Sequence, residues 1–349
     1  MQQAIVLTNG FLLLPDAKTA HGLIRGTERY KITGVVDSAA TAGKDAGELL
    51  DGKNRQIPVF GTLASAIQQL KKIDCLIIGI ATVGGRLPAE MMGIIQEAMR
   101  AGISIVNGLH EFLSEKPELV ALAEQHGVTL TDIRKPKLRK DLHFWTGDIF
   151  SVTTPIVAVL GMDCAVGKRT TARMLTQACT DNGWNAQMIY TGQTGWMQGG
   201  KYGFIFDSTL NDFVSGELEN AIVTCWKETN AGIIFLEGQS SLRNPSGPCG
   251  FEMIISGNAK HVVLLTAPKR KYFDDDQHWG EIPSVESEVA LIEKLGAKVI
   301  AIGLNTKGCS NEEIEMYKKQ YEENRHLPIL LPVEEGVSKI IPVLKTLIQ

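Results

Sequence analysis

The sequence predicts an α/β protein of two domains, each a mostly parallel sheet with crossover helices. Short apolar runs alternate with helical patterns from end to end, the order that such sheets produce. At 349 residues the chain is long for one domain. Between the halves, "RKPKLRK" (Arg134–Lys140) packs five positive charges into seven residues, with Pro136 and Pro155 marking a composition break. These observations divide the chain into residues 1–150, including a basic linker at 133–150, and residues 151–349. Such a run is read either as solvated or as a contact for an acidic substrate.

Composition sets the outer limits. A hydrophobic share of 44% with 21% charged residues is that of a globular protein with a real core. The net charge of −4 gives no electrostatic reason to expect nucleic acid or an anionic membrane as partner. The six cysteines form no C-x-x-C pair and read as reduced thiols. No basic leader and no apolar run of the ~20 residues that span a bilayer is visible, so a cytoplasmic location is expected. The expected partner is a small-molecule substrate, with homo-oligomerisation left open.

In the first half the strands are expected at residues 4–8, 32–37, 75–80, 103–106 and 128–132. Leu63, Ala66, Ile67 and Leu70 share one helical face, with Thr62 as N-cap. This half reads as a Rossmann-like domain without the glycine fingerprint after its first strand. Asp37 ends the second strand, where a ribose-binding acid often stands; a surface aspartate is the other reading. "GIATVGGRLP" offers Gly84 and Gly85 for close ligand approach and Arg86 for an anion, or is only a turn before a helix.

In the second half strands are expected at residues 155–161, 186–191, 232–238, 261–267, 298–305 and 328–332. The first runs into "GMDCAVGKRTTA" and a helix with Ala172, Leu175 and Cys179 on one face. A glycine loop between a buried strand and a helix converges backbone N–H groups on one point, and the lysine adds a full charge. The spacing is G-x5-G-K, one residue longer than the common loop. The candidate cofactor contacts are Gly161, Asp163, Cys164, Ala165, Val166, Gly167, Lys168, Arg169, Thr170 and Thr171. Arg169 stands where a magnesium-binding hydroxyl is usual, and an arginine cannot ligate a cation. Either Thr170 or Thr171 supplies the hydroxyl and the loop works on ATP, or Lys168 and Arg169 neutralise a diphosphate that is bound without being cleaved, such as that of coenzyme A.

The loop resembles that of dethiobiotin synthetase and its relatives. "IIFLEGQSS" (Ile233–Ser241) resembles their strand ending in an acid beside magnesium, and "GLNTKG" (Gly303–Gly308) their base-recognising loop. The resemblance implies magnesium near Glu237, where Thr170 is the other candidate ligand by the reading above, and a nucleotide base near Asn305. The longer stretches "DAKTAHGLIR", "GGRLP", "GLHEFLSE", "DIRKP", "TGQTGWM", "FDSTLNDFVSGELE" and "EGQSSLRNP" resemble a family of two-domain proteins long catalogued as a domain of unknown function. Its members pair a Rossmann-like N-terminal domain with a P-loop NTPase-like C-terminal domain, and some are D-glutamate N-acetyltransferases that use acetyl-CoA.

That resemblance implies a set of site residues. Gln193, Thr194 and Gly195 are candidates for a substrate carboxylate, as are Arg243 and Arg86. Asp212 is a candidate for the substrate amine. Asp207, Glu237 and His110 are candidate bases, and Lys168 a candidate oxyanion stabiliser. The implied function is an acetyl-CoA-dependent N-acetyltransferase acting on an acidic amino acid. The alternatives are an ATP- and magnesium-dependent ligase or kinase and a nucleotide-binding regulatory protein.

Overall fold

The computed structural model describes residues 1–348. The chain forms two compact units, one of Met1–Pro136 with Gln193–Gly199, the other of Lys137–Gly192 with the chain from Gly200 onward.

The first unit contains β1 (Gln2–Leu7), α1 (Lys18–Arg25), β2 (Tyr30–Val36), α2 (Ala46–Asp51), β3 (Val59–Phe60), α3 (Leu63–Gln69), β4 (Cys75–Ile78), α4 (Ala89–Arg100), β5 (Ser104–Asn107), α5 (Pro117–His126) and β6 (Leu130–Asp132). Its sheet has the order β3-β2-β1-β4-β5-β6, and every ladder is parallel. Helices cover both faces, so a central strand alternates between two cores. Along β1, Ile5 and Leu7 join one apolar cluster while Ala4 and Val6 join the other. Thr62 caps α3 as expected, its hydroxyl accepting the Ser65 N–H at 3.2 Å. Of the expected apolar face, Leu63 and Ala66 are buried but Ile67 is 37% exposed.

The second unit begins with β7 (Ile156–Gly161), α6 (Lys168–Asp181) and β8 (Ala186–Tyr190). After β8 comes α7 (Gln193–Met197), which belongs to the first unit. There follow β9 (Tyr202–Gly203), α8 (Asn211–Thr229), β10 (Ile233–Glu237), α9 (Phe251–Ile255), β11 (His261–Thr266), α10 (Val285–Lys294), β12 (Lys298–Leu304), α11 (Asn311–Arg325), β13 (Ile329–Leu330) and α12 (Ile341–Ile348). The order is β13-β12-β11-β7-β10-β8-β9, again parallel throughout. β7 lies at its centre, with Ala158 and Leu160 in one core and Val157 and Val159 in the other.

The division falls after Pro136; within the basic run Arg134 is buried, while Lys135, Lys137, Arg139 and Lys140 are exposed. Arg134 is buried and donates to the Gly108 carbonyl, and Lys135 reaches Ser114 at 3.1 Å, both in the first unit. Lys137 binds Glu217 at 2.5 Å, and the Glu217 carboxylate also accepts the His143 N–H at 2.9 Å. Residues 137–150 therefore strap onto α8 of the second unit. Glu219, two residues along, accepts the N–H groups of Thr146 (2.6 Å), Gly147 (2.8 Å) and Ile149 (3.1 Å) and the Thr146 hydroxyl (3.0 Å). Among the described residues no helix is long and apolar enough to cross a membrane.

Candidate functional site

β7 delivers the chain into a turn that ends at the N-terminus of α6, with Gly167 at the cap. Ala165 (φ 53°) and Gly167 (φ 105°) are left-handed while their neighbours are not. That alternation turns successive N–H groups to one side and makes an anion-binding hollow. The dipole of a 14-residue helix adds partial positive charge at the same place. The Lys168 stem runs through a slot between two glycines. A Cβ on Gly161 would crowd it at 3.2 Å, and one on Gly238 at 3.0 Å. Its ammonium donates to the carbonyls of Asp163 and Ser240, each at 2.6 Å, and the residue is 7% exposed. The cation is thus held against the turn by carbonyls from two loops.

Glu237 ends β10, the strand beside β7, with its neighbour Gly238 donating to the Val159 carbonyl at 3.0 Å. It is wholly buried. Burial pushes its carboxyl up; the nearby Arg169 guanidinium opposes this most, followed by the Thr191 N–H, Lys168 and the Gly192 N–H. The Thr191 amide lies 3.1 Å from its carboxylate, and the Thr191 hydroxyl donates to its carbonyl at 2.7 Å. Asp163, Lys168, Arg169 and Glu237 are therefore brought together at the carboxyl ends of β7 and β10. Cys164 is half-buried beside Ser240, 3.5 Å between side-chain atoms, and burial raises its thiol. Thr170 is half-buried and Thr171 buried on the first turn of α6.

The other candidates separate. Asp207 lies exposed in a short 3-10 turn (Phe206–Ser208) and does not cap α8, whose N-cap is Leu210. It still acts on the Cys249 thiol, which burial pushes up to about 12, and so does Lys168, so both charges lie near that thiol. Asp212 is exposed on the first turn of α8. Arg243 is partnered within its own unit: its Nε sits 2.7 Å from the buried Glu288 carboxylate and its Nη2 bonds Ser287 at 3.0 Å. Asn305 closes a turn by accepting the Lys307 N–H at 3.1 Å.

Gln193, Thr194 and Gly195 are buried inside α7, with Thr194 3.2 Å from the Thr19 hydroxyl and Gln193 lying over Gly108. Met197 fills the core beside Val6, Leu23 and Ile77, and Arg29 stacks 3.9 Å above the Trp196 ring. In the first unit Arg86 and His110 are both exposed and line one open cleft with Gly84 and Glu111. The loop carrying Arg86 is braced there, since the Gly85 carbonyl accepts the N–H groups of His110 (2.9 Å) and Glu111 (3.1 Å).

Asp37 is neither a ribose acid nor a surface residue. It is 4% exposed, and its carboxylate accepts from Thr41 (2.6 Å), Thr8 (2.7 Å), Gly10 N–H (2.8 Å) and Leu12 N–H (3.1 Å). Burial alone would raise the group; the bonds from Thr41, Thr8, Leu12 and Gly10 outweigh it and hold it below its ordinary value. A carboxyl depressed in the fold stabilises above its unfolded pKa, and the contribution goes as pH falls through the folded value. Asp37→Ala is therefore expected to cost about 2–4 kcal/mol at neutral pH. In urea melts the gap from wild type should shrink below roughly pH 4.

Acids such as Glu217 and Glu219 escaped the sequence reading, as did Asn244 and Arg270, which hold the phosphate turn. One signal was present. "SGELE" carries a glycine in a helix interior, and Gly216 is where the His143 carbonyl approaches α8 too closely for a Cβ.

Comparison with known proteins agrees with this geometry. Residues 143–341 match the family described as "Domain of unknown function (DUF1611_C) P-loop domain", and residues 39–136 match its Rossmann-like N-terminal partner. A protein of Pseudoalteromonas sp named D-glutamate N-acetyltransferase is 29% identical over 272 residues, covering 76% of this chain and 79% of its own. One of the same name from Tritonibacter scottomollicae is 28% identical over 276 residues, covering 77% and 80%. The crystal structure of a DUF1611 family protein from Anabaena variabilis superposes with a TM-score of 0.89 at 27% identity, over 99% of this chain and all of that one. With a Rossmann-like sheet, a P-loop sheet and both family signatures in order, this chain belongs to the DUF1611 family.

Proposed function

We propose that this protein is an N-acetyltransferase that moves the acetyl group of acetyl-CoA to the amine of an acidic amino acid, D-glutamate by analogy with its named relatives. The observation that carries the reading is the phosphate turn with two adjacent cations, Lys168 and Arg169, of which Arg169 faces Glu237. Convergent amides, a helix N-terminus and a lysine suit a diphosphate, the bridge between the adenosine and pantetheine halves of coenzyme A. Asn305, in the turn after β12, is the candidate for its adenine.

A resident magnesium fits less well. The position for its hydroxyl ligand holds Arg169, and the Glu237 carboxylate already receives two backbone N–H groups and a neighbouring guanidinium. A fixed cation supplied by the chain takes the metal's place, so no step is routed through magnesium.

In the reaction the free amine attacks the thioester carbonyl carbon. A C–N bond forms, the C–S bond breaks, and the sulfur leaves as the coenzyme's thiol after taking up a proton. A base must first remove a proton from the substrate ammonium. The pantetheine arm places the thioester many bonds from the diphosphate, which assigns Glu237 to holding Arg169 and leaves Asp207 and His110 as the base candidates.

The test is release of free thiol when the protein meets acetyl-CoA and D-glutamate, with N-acetylglutamate found by mass spectrometry. Thiol release no faster than without amino acid overturns the reading. Of Asp207→Asn and His110→Asn, the one that removes the base is expected to lower kcat by about 10²–10⁴-fold. The buried strand-end acid beside a P-loop also supports a second reading, an ATP-dependent ligase or kinase; ADP release that needs magnesium and an added acid or amine would favour it.

A further inference from the structure

We propose that Arg270 and Asn244 are positioning residues of the phosphate turn, acting on it through Asp163. The proposal deepens the functional reading above and rests on the turn being the anion site.

Asp163, the second residue after Gly161, is 1% exposed and meets groups from two other loops. Asn244, wholly buried in the loop after β10, donates to one carboxylate oxygen at 2.9 Å. Arg270, in the loop after β11, donates to the other at 2.7 Å, and the Asp274 N–H joins it at 2.8 Å. Asn244 is itself fixed: its N–H donates to Ser241 Oγ at 3.0 Å, its carboxamide oxygen accepts from Ser246 N–H and Oγ at 2.9 Å each, and its amide reaches Asp274 at 3.0 Å.

The same Arg270 Nη1 also donates to the Cys164 carbonyl at 2.7 Å. In a trans peptide the C=O and the following N–H point in opposite directions. Anchoring the Cys164 carbonyl on Arg270 therefore turns the Ala165 N–H away from it and fixes the first peptide plane of the left-handed pair at 165 and 167. The carboxylate orients its own loop without touching a ligand. With an arginine, an asparagine and a backbone N–H as its partners, it is arranged as an internal anchor, and its one-sided set of donors explains why an acid can stand in a turn built for anions.

The consequence is a separation of donor affinity from turnover. Loosening the turn should weaken diphosphate binding while leaving the reacting end of the donor unaffected. Titrating the full chain with inorganic pyrophosphate, Arg270→Gln and Asn244→Ala are each expected to raise the dissociation constant by about tenfold or more. In the acetyl-transfer assay both should raise KM for acetyl-CoA by a similar factor with kcat within about threefold. Arg270→Lys keeps the charge but its ammonium ends one atom short of the Nη1 that holds Asp163 and the Cys164 carbonyl, so it should fall between wild type and Arg270→Gln, and it serves if the glutamine variant does not fold. Pyrophosphate affinity unchanged in folded Arg270 and Asn244 variants overturns the proposal, as does a fall in kcat with KM unmoved. If the wild type binds pyrophosphate and loses it in the variants yet transfers no acetyl group, the anchor stands and only the acetyltransferase reading fails.

Discussion

Lys168→Ala is expected to weaken coenzyme A and pyrophosphate binding on the order of a hundredfold, the worth of a charge-assisted hydrogen bond to each of two phosphates in a sheltered site. The stem has one path, the slot between Gly161 and Gly238, so no neighbouring residue can lend a substitute cation from the same direction. The alanine also strips the Asp163 and Ser240 carbonyls of their shared donor, which should lower the melting temperature modestly. Calorimetric titration with each ligand, alongside a thermal melt, separates the two effects. Lys168→Arg is expected to do no better than alanine at binding, because a guanidinium is too broad for a slot already in van der Waals contact with a methylene chain. Full affinity in Lys168→Ala would remove the turn from the binding site.

Glu219→Ala should destabilise the second unit by about 2–4 kcal/mol. Its two oxygens accept three backbone N–H groups and a hydroxyl from residues 146–149, and the residue is 3% exposed. Removing them leaves the buried Ile149 N–H and three part-buried donors without an acceptor at once, which is costlier than losing any one bond. The strap over α8 should then detach, carrying Trp145 away from the Ser256 carbonyl that its indole N–H bonds at 3.2 Å. Tryptophan emission shifting to the red in step with a melting point lower by roughly 10 °C would mark that sequence of events. A variant that melts like wild type would show the strap is held by its apolar side chains instead.

Much of the scaffold was legible in the sequence because parallel strands buried on both faces read as unbroken apolar runs, as "VAVLG" and "IIFLE" do. The two-residue strands β3 and β9 were not, since neither lies in an apolar run like the one around β13, which is equally short. The helix after the phosphate turn was legible for the opposite reason: Ala172, Leu175 and Cys179 sit at helical spacing, and all three are completely buried. In the candidate site, the glycines, Lys168 and Glu237 announced themselves by motif. The ion pair of Arg243 was not legible, because its partner Glu288 is far away in sequence. Glu217 and Glu219 were invisible for a related reason. An acid within a helix reads as a solvated face, and only the fold reveals that an earlier segment lies across it.

The path of α7 bears on how this protein can be divided. A peptide ending at Pro136 would lack Met197, and a void would open among Val6, Leu23 and Ile77 in a sheet otherwise complete. The N-terminal half is thus finished by residues synthesised some sixty positions after it ends. Ribosomal synthesis cannot complete that half before the central strand of the second unit has been made.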